Sequence, residues 1–195
     1  MRNARIYDIV LTPFERFVLG PWRRDFLASA EGRILEIGAG TGFTLRHYQR
    51  PREVYLTDHR PSMLRRAAIR GASSPFPVRT VAADAMRLPF PEGTFDTVVV
   101  ALALCTVDSP EQAFGEIRRV LQPNGTLRMV EHVRVNRQPV AALQDILTPA
   151  WRAMSDGCRL NRPTLQTAVA CGFEPITVRT GWGGWLMGAV LRPKA

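Results

Sequence analysis

Apolar residues gather along this chain in two rhythms. Short, nearly continuous runs over residues 34–37, 53–57, 77–83, 97–101 and 126–130 are bounded by glycine, proline or acidic residues. That is the pattern of strands buried on both faces of a parallel sheet. Between them the apolar positions recur at helical spacing: over 6–18, where Pro13 breaks the run, after Pro21, from Pro61, over 110–121 with Asp108 or Ser109 as cap, and from Pro139, with an interruption near Pro149. Asn124-Gly125 predicts a turn into the fifth strand. A shorter helix over 163–171 stops at Gly172, and residues 173–179 and 184–191 predict two strands joined by a Gly/Trp turn. Alternating β and α units of this kind form an α/β, doubly wound, Rossmann-like and mostly parallel sheet, here closed by a C-terminal antiparallel hairpin. Ligands of such sheets sit at the C-terminal ends of the strands.

The strand over 34–37 runs into GAGTG, with Gly38, Gly40 and Gly42. Glycine lets the backbone turn sharply and leaves no side chain between main chain and ligand. Residues 41–49 read as a helix whose free amides face that turn. A dinucleotide fingerprint needs a third glycine where Phe43 stands, and no GKT or GKS follows, so neither a pyrophosphate site nor a phosphate-cradling loop fits. Glu36 at the strand end repels phosphate and suits a cationic ammonium. Asp58 closes the second strand about 20 residues after the first glycine, where a carboxylate accepts hydrogen bonds from both ribose hydroxyls; capping the next helix is its alternative use. Asp84 follows the third strand, where its carboxylate can accept from the adenine amine while the Ala85 amide donates to a ring nitrogen. Asp96 reads as structural.

At 195 residues, 46% of them hydrophobic, the chain has the length for one well-filled core, and residues 1–195 read as one domain. Residues 1–30 form an N-terminal helical lid or a membrane-facing segment of it. No apolar run reaches the roughly 18 residues of a membrane span, and no signal-peptide core is present, which predicts a cytoplasmic protein with at most peripheral membrane contact through the N-terminal segment. The formal charge of +9 allows an acidic partner, but arginines are spread from Arg2 to Arg192 and Lys194 is the single lysine, so no dedicated basic patch is marked. Cys105, Cys158 and Cys171 lie far apart without a CxxC pair, which predicts reduced thiols acting as small hydrophobes. With one histidine distant from them in sequence, no metal site is expected.

The E-x-G-x-G-x-G turn resembles motif I of the class I S-adenosylmethionine-dependent methyltransferases. LPFPEGTFD over 88–96 and RRVLQPNG over 118–125 resemble further stretches of that family, with Asn124 in place of a glycine. The resemblance implies S-adenosylmethionine as cofactor and adds Tyr7, Ala39, His59, Met63 and Ala101 to Glu36, Gly38, Gly40, Gly42, Asp58, Asp84 and Ala85 as cofactor-binding positions. Met63 would pack on the adenine ring or belong to the core; Tyr7, in a Tyr-Asp pair with Asp8, favours the lid. LCTV over 104–107, MVEHV over 129–133, and TPAW and DGCRLNR within 148–162 are similar to the methyltransferase-like alkyl thiol methyltransferases and their bacterial relatives. This chain has Thr148 where those carry Asp, and lacks their hydrophobic N-terminal anchor.

The implied reaction is S-methylation of a small-molecule acceptor, a thiol. His132, at the end of the fifth strand, is the candidate base, and Asp156 could orient or replace it; a structural hydrogen bond is the other use of His132. Phospholipid or quinone methylation is an alternative reading, and a non-catalytic S-adenosylmethionine-binding regulator is a further one. Nucleic acid is not expected as a partner: ALALCT stands where amine methyltransferases of nucleic acids carry an (N/D)PP(Y/F) clamp.

Overall fold

A computed structural model describes residues 15–155 and 157–194. After a π-helical turn at Glu15–Leu19 come α1 (Gly20–Leu27), β1 (Glu31–Ile37), β2 (Arg50–Asp58), α2 (Pro61–Gly71), β3 (Val78–Ala82), β4 (Phe95–Ala101), α3 (Pro110–Val120), β5 (Leu121–His132), α4 (Val140–Met154), α5 (Thr164–Ala170), β6 (Phe173–Gly181) and β7 (Leu186–Pro193). One seven-stranded sheet holds them in the order β3-β2-β1-β4-β5-β7-β6. The first five strands run parallel, and β7 pairs antiparallel with both β5 and β6. The predicted mostly parallel sheet with its C-terminal hairpin is therefore present.

Alternation along the central strands loads both faces. Leu35, Ile37, Val98, Val100, Leu127 and Met129 pack with Ala113, Phe114, Ile117 and Val120 of α3 in one buried cluster. Ile34, Val99 and Val130 join Leu19, Trp22, Phe26 and Leu27 on the other face. Strands covered on both sides need continuous apolar runs, as β1, β4 and β5 have. Ser109 caps α3, its hydroxyl accepting from the Gln112 amide at 3.3 Å. Asp96 accepts from the Arg33 amide at 2.7 Å and locks the start of β1 to β4, a structural role as expected.

Three local expectations are corrected. The helix over 41–49 is only a 3-10 turn, Phe43–His47, begun by left-handed Gly42 and closed by extended Tyr48. The hydroxyls of Thr44 and Tyr48 both turn to the Glu36 carboxylate, drawing the segment in too tightly for a longer helix. Helix α4 runs through Pro149 without a break. Asn124-Gly125 lies within β5: Leu121 pairs with Phe95 and Thr126 with Thr97, so residues 122–125 bulge from the ladder instead of ending it.

Candidate active site

Register places the candidate residues on one edge of the sheet. Ile37 lies opposite Thr57 and Val100, Asp58 opposite Ala82, and Ala101 opposite Val130. The turn after β1, Asp58 and His59 after β2, Asp84 and Ala85 after β3, Ala101 and His132 thus share the C-terminal ends of neighbouring strands. Tyr7 and Asp156 lie outside the described residues, as do residues 1–14 of the segment 1–30 read as a lid; its remainder, with α1, packs on the sheet through Leu19, Trp22, Phe26 and Leu27.

The glycines differ in what they do. Gly38 has φ +66°, and a Cβ on it would fall 2.3 Å from the Ala103 Cβ, so its absence lets the chain after β4 close onto the turn. Gly40 has φ +56°, and a Cβ there would have no protein atom within 4 Å: it borders open space on the side where a ligand must lie. The Ala39 amide donates to the Thr57 carbonyl at 2.8 Å. The Gly40 amide donates to Asp58 Oδ2 at 3.0 Å, and the Arg60 amide to Oδ1 at 2.9 Å. Asp58 is buried and already oriented by the turn, with exposed His59 3.7 Å from it. Arg70 donates to the Thr41 hydroxyl at 2.6 Å and lies 4.2 Å over the Phe43 ring, bracing the turn from α2.

Glu36 is 1% exposed. One of its oxygens accepts from the Tyr48 hydroxyl at 2.9 Å, and Thr44 donates to the carboxylate as well. Burial pushes its carboxyl up to about 7, against the pull of the Thr44 bond, Arg23 and the Tyr48 bond. Its carboxylate ties the glycine turn to the segment that follows. Asp84 is exposed and orients itself by accepting from the Met86 amide at 2.9 Å. Met63 is fully buried in α2. Ala85 packs against the core from the loop after β3, and Ala101 is buried at the end of β4. The residues present fit S-adenosylmethionine: an open backbone cradle at Gly40, an oriented carboxylate at Asp58 and an acidic group after β3.

Sequence reasoning missed Glu131. Fully buried at the end of β5, it accepts from the Ala103 and Leu104 amides at 2.8 and 2.9 Å through one oxygen, while the other has no partner among the described residues. Burial pushes its carboxyl up to about 7, opposed by those two amides and His132. A carboxylate within the MVEHV run at the end of β5, directly before His132, was the available signal. The bond fixes the chain after β4, where Leu102 is held at φ +58°. It therefore also sets where Cys105 lies.

The separation expected of the cysteines is corrected here. Cys105, His132 and Cys158 converge, with both sulfurs and a histidine ring nitrogen within 4.8 Å of one another and Cys158 Sγ 3.8 Å from His132 Nδ1. Hydrogen bonding from the Cys105 thiol, aided by His132, holds the Cys158 thiol below its usual range, while Cys105 is pushed up. His132 also forms part of the wall of a cavity of about 680 Å³, with Leu147, Trp151, Leu160, Trp182 and Trp185. Over this cavity lies α4, fixed by polar groups: buried Gln144 accepts from the Val135 amide and donates to the Val133 and Leu160 carbonyls, at 2.8 to 3.0 Å. Asp145 next to it pairs with Arg134 at 2.7 Å.

Residues 35–129 match a methyltransferase domain family. Over 152 residues the chain is 33% identical to thiol S-methyltransferase TMT1B of Rattus norvegicus, covering 76% of this chain and 62% of that protein. The ubiquinone/menaquinone biosynthesis C-methyltransferase UbiE of Stutzerimonas stutzeri is 32% identical over 176 residues, 78% of this chain and 69% of the relative. A crystal structure of an S-adenosylmethionine-dependent methyltransferase from Mesorhizobium loti superimposes with a TM-score of 0.69 at 19% identity, over 89% of this chain and 97% of that one. Taken with the glycine turn, the oriented Asp58 and the strand order, these likenesses show that the chain belongs to the class I S-adenosylmethionine-dependent methyltransferases.

Proposed function

We propose that the chain methylates the sulfur of a small, largely apolar thiol. The observation that carries this reading is His132 on the wall of an apolar cavity at the end of β5, two strands from the glycine turn. The relationship to a protein named a thiol S-methyltransferase supports it. When bound, S-adenosylmethionine supplies an electrophilic methyl group on a sulfonium. The turn at Gly38–Gly42 and the carboxylates of Asp58 and Asp84 would hold the cofactor, with His59, Ala85 and Ala101 on its adenosine side and Glu36 behind its ammonium end, while Met63, 1% exposed, serves the core. Tyr7 would close over it.

The cavity's aromatic and aliphatic walls strip water from the acceptor sulfur and hold it in line. A thiol with a pKa of about 8.5 is only a few per cent thiolate at neutral pH. His132 takes the proton, and Asp156 orients the imidazole. Loss of such a base costs about 10²- to 10⁴-fold. Purified protein with labelled S-adenosylmethionine and a panel of alkyl and aryl thiols tests the reading: a methyl thioether is expected, with kcat/KM falling at least 100-fold in His132→Ala. Cofactor binding without any thioether would overturn it and leave the quinone or phospholipid reading and the non-catalytic regulator.

One observation favours a lipid-borne acceptor as second reading. Helix α4 turns Leu143, Ile146, Leu147 and Trp151 toward solvent, with Ile146 74% exposed, and Leu147 and Trp151 also line the cavity. An interfacial helix of a quinone or phospholipid methyltransferase presents such a stripe. No helix among the described residues is long and apolar enough to cross a membrane.

A further inference from the structure

We infer that Cys105, His132 and Cys158 bind a thiophilic divalent cation, Zn²⁺ by preference, with its fourth coordination position turned toward the acceptor cavity. The three donors come from three separate segments: the loop after β4, the end of β5, and the turn after α4. Their donor atoms already lie within 4.8 Å of one another, and the Cys158–His132 pair is at 3.8 Å. Tetrahedral zinc with Zn–S near 2.3 Å and Zn–N near 2.0–2.1 Å separates its ligand atoms by roughly 3.5–3.8 Å. Each donor therefore needs to close by about an ångström or less.

The segments that carry the donors are held independently of any ion. Cys105 follows the two amides bonded to Glu131, and its own carbonyl accepts from the Arg159 amide at 2.9 Å, joining the loop after β4 to the turn that carries Cys158. Gln144 grips the Leu160 carbonyl two residues beyond Cys158. Arg162 donates to the Val107 carbonyl, a second link between the same segments. Such support is what a metal site requires of its surroundings. Two thiolates and an imidazole balance a divalent charge, and three protein ligands with one open position is the composition of a catalytic zinc centre. Both cysteines are buried against Leu160 and Trp185, while His132, Leu160 and Trp185 all face the cavity, so the free position opens there.

The use of that position rests on the thiol reading. An acceptor thiol entering it releases its proton to solvent and stays as a thiolate on the ion. A sulfur lone pair then forms the new S–CH₃ bond while the methyl–sulfonium bond breaks, its electron pair remaining on the departing sulfur of S-adenosylhomocysteine. The neutral thioether is a weak ligand and leaves. With the ion in place His132 is a ligand, and the metal, by lowering the pKa of the bound thiol, replaces it as the means of forming the thiolate.

The test is a titration of reduced, metal-free protein with Co²⁺, followed by optical absorption and Zn²⁺ competition. One equivalent should give sulfur-to-cobalt charge transfer and the strong visible bands of a four-coordinate ion, displaced by Zn²⁺. Cys105→Ser and Cys158→Ser should each bind at least tenfold more weakly at unchanged circular dichroism, with Cys171→Ser unaffected. A small alkyl thiol should shift the visible bands. Absence of these bands in the parent protein, or their persistence in the Cys105/Cys158 double variant, overturns the site. So does a Cys105–Cys158 disulfide whose reduction brings no cobalt binding, which would mark a redox pair. Metal binding that thiols perturb, without methyl transfer, leaves the site standing and removes the thiol reaction. Full methyl transfer by chelated, metal-free protein leaves the thiol reaction standing and overturns the ion's part in it.

Discussion

Gly40→Ala and Gly38→Ala separate the cofactor cradle from the fold that supports it. Both glycines lie in the left-handed region, at φ +56° and +66°. Alanine there costs roughly 1–2 kcal/mol, of which about 0.4–1 kcal/mol returns through the smaller entropy of the unfolded chain. At Gly40 nothing else is disturbed, because a Cβ would have no protein atom within 4 Å. The expected net loss is about 1 kcal/mol, a fall in Tm of roughly 2–4 °C for a chain of this size. At Gly38 the new Cβ lies 2.3 Å from that of Ala103, whose amide is bonded to buried Glu131. Overpacking of this kind adds about 1–3 kcal/mol. Cofactor binding should show the opposite emphasis. A methyl group on Gly40 stands in the space the cofactor needs, so affinity should fall at least tenfold with the fold intact. Thermal melting with and without S-adenosylmethionine reads both effects. Cofactor at 100 times its Kd stabilises the parent by about 2.7 kcal/mol, and that increment should be cut by at least half in Gly40→Ala. Affinity within threefold of the parent would place the cofactor elsewhere. A Gly38→Ala melt matching that of Gly40→Ala would show that the chain after β4 yields freely.

Three further outcomes follow from the buried polar groups and the α4 stripe. Glu36 holds its proton more tightly folded than unfolded, so its contribution to stability is present below about pH 4.5 and is lost as pH rises through about 7. Urea melts between pH 5 and 8 should show a fall in parent stability that is smaller by up to roughly 3 kcal/mol in Glu36→Gln, the remainder belonging to Glu131, which burial also raises to about 7; parallel curves would contradict it. Gln144→Leu leaves the Val135 amide and the Val133 and Leu160 carbonyls without their partner, and should cost roughly 2–4 kcal/mol by loss of Tm; a shift under 2 °C would mean α4 is held otherwise. Ile146→Asp should change stability by less than about 0.5 kcal/mol because the side chain is 74% exposed. Sedimentation with anionic vesicles then decides its role: unchanged binding removes the lipid-facing reading of α4.

The cofactor half of the site was legible because its signals are local. Strand, turn and acidic residue follow one another within a few positions, and Gly38 to Asp58 spans a single β-turn-β passage whose register the apolar runs dictate. Even the misread helix after Gly42 failed for a local reason: Thr44 and Tyr48 are drawn back to Glu36 eight and twelve residues earlier, a competition that periodicity does not register. Pro149 misled in the opposite sense. A proline costs a helix one hydrogen bond and a steric contact, but α4 is fixed to the body through Gln144 and Asp145, one turn before it, and continues past.

The acceptor half escaped because its partners are remote in sequence and joined by polar groups that look ordinary one at a time. Glu131 bonds to amides 27 and 28 residues away, Arg162 to a carbonyl 55 residues away, and Cys158 meets His132 across 26 residues of loop and helix. The last two links cross from the parallel part of the sheet to the segment between β5 and β6. That segment also carries a helix that buries Gln144 and Thr148 while Leu143, Ile146 and Leu147 are exposed, the reverse of what a hydrophobic pattern assumes. A doubly wound fold uses its first strands for the part of the reaction common to its members, where close backbone packing leaves few alternatives. The additions after β5 are free to differ, and on the reading proposed above the cavity, Cys158 and the exposed stripe of α4 there, with Cys105 from the loop after β4, select the acceptor.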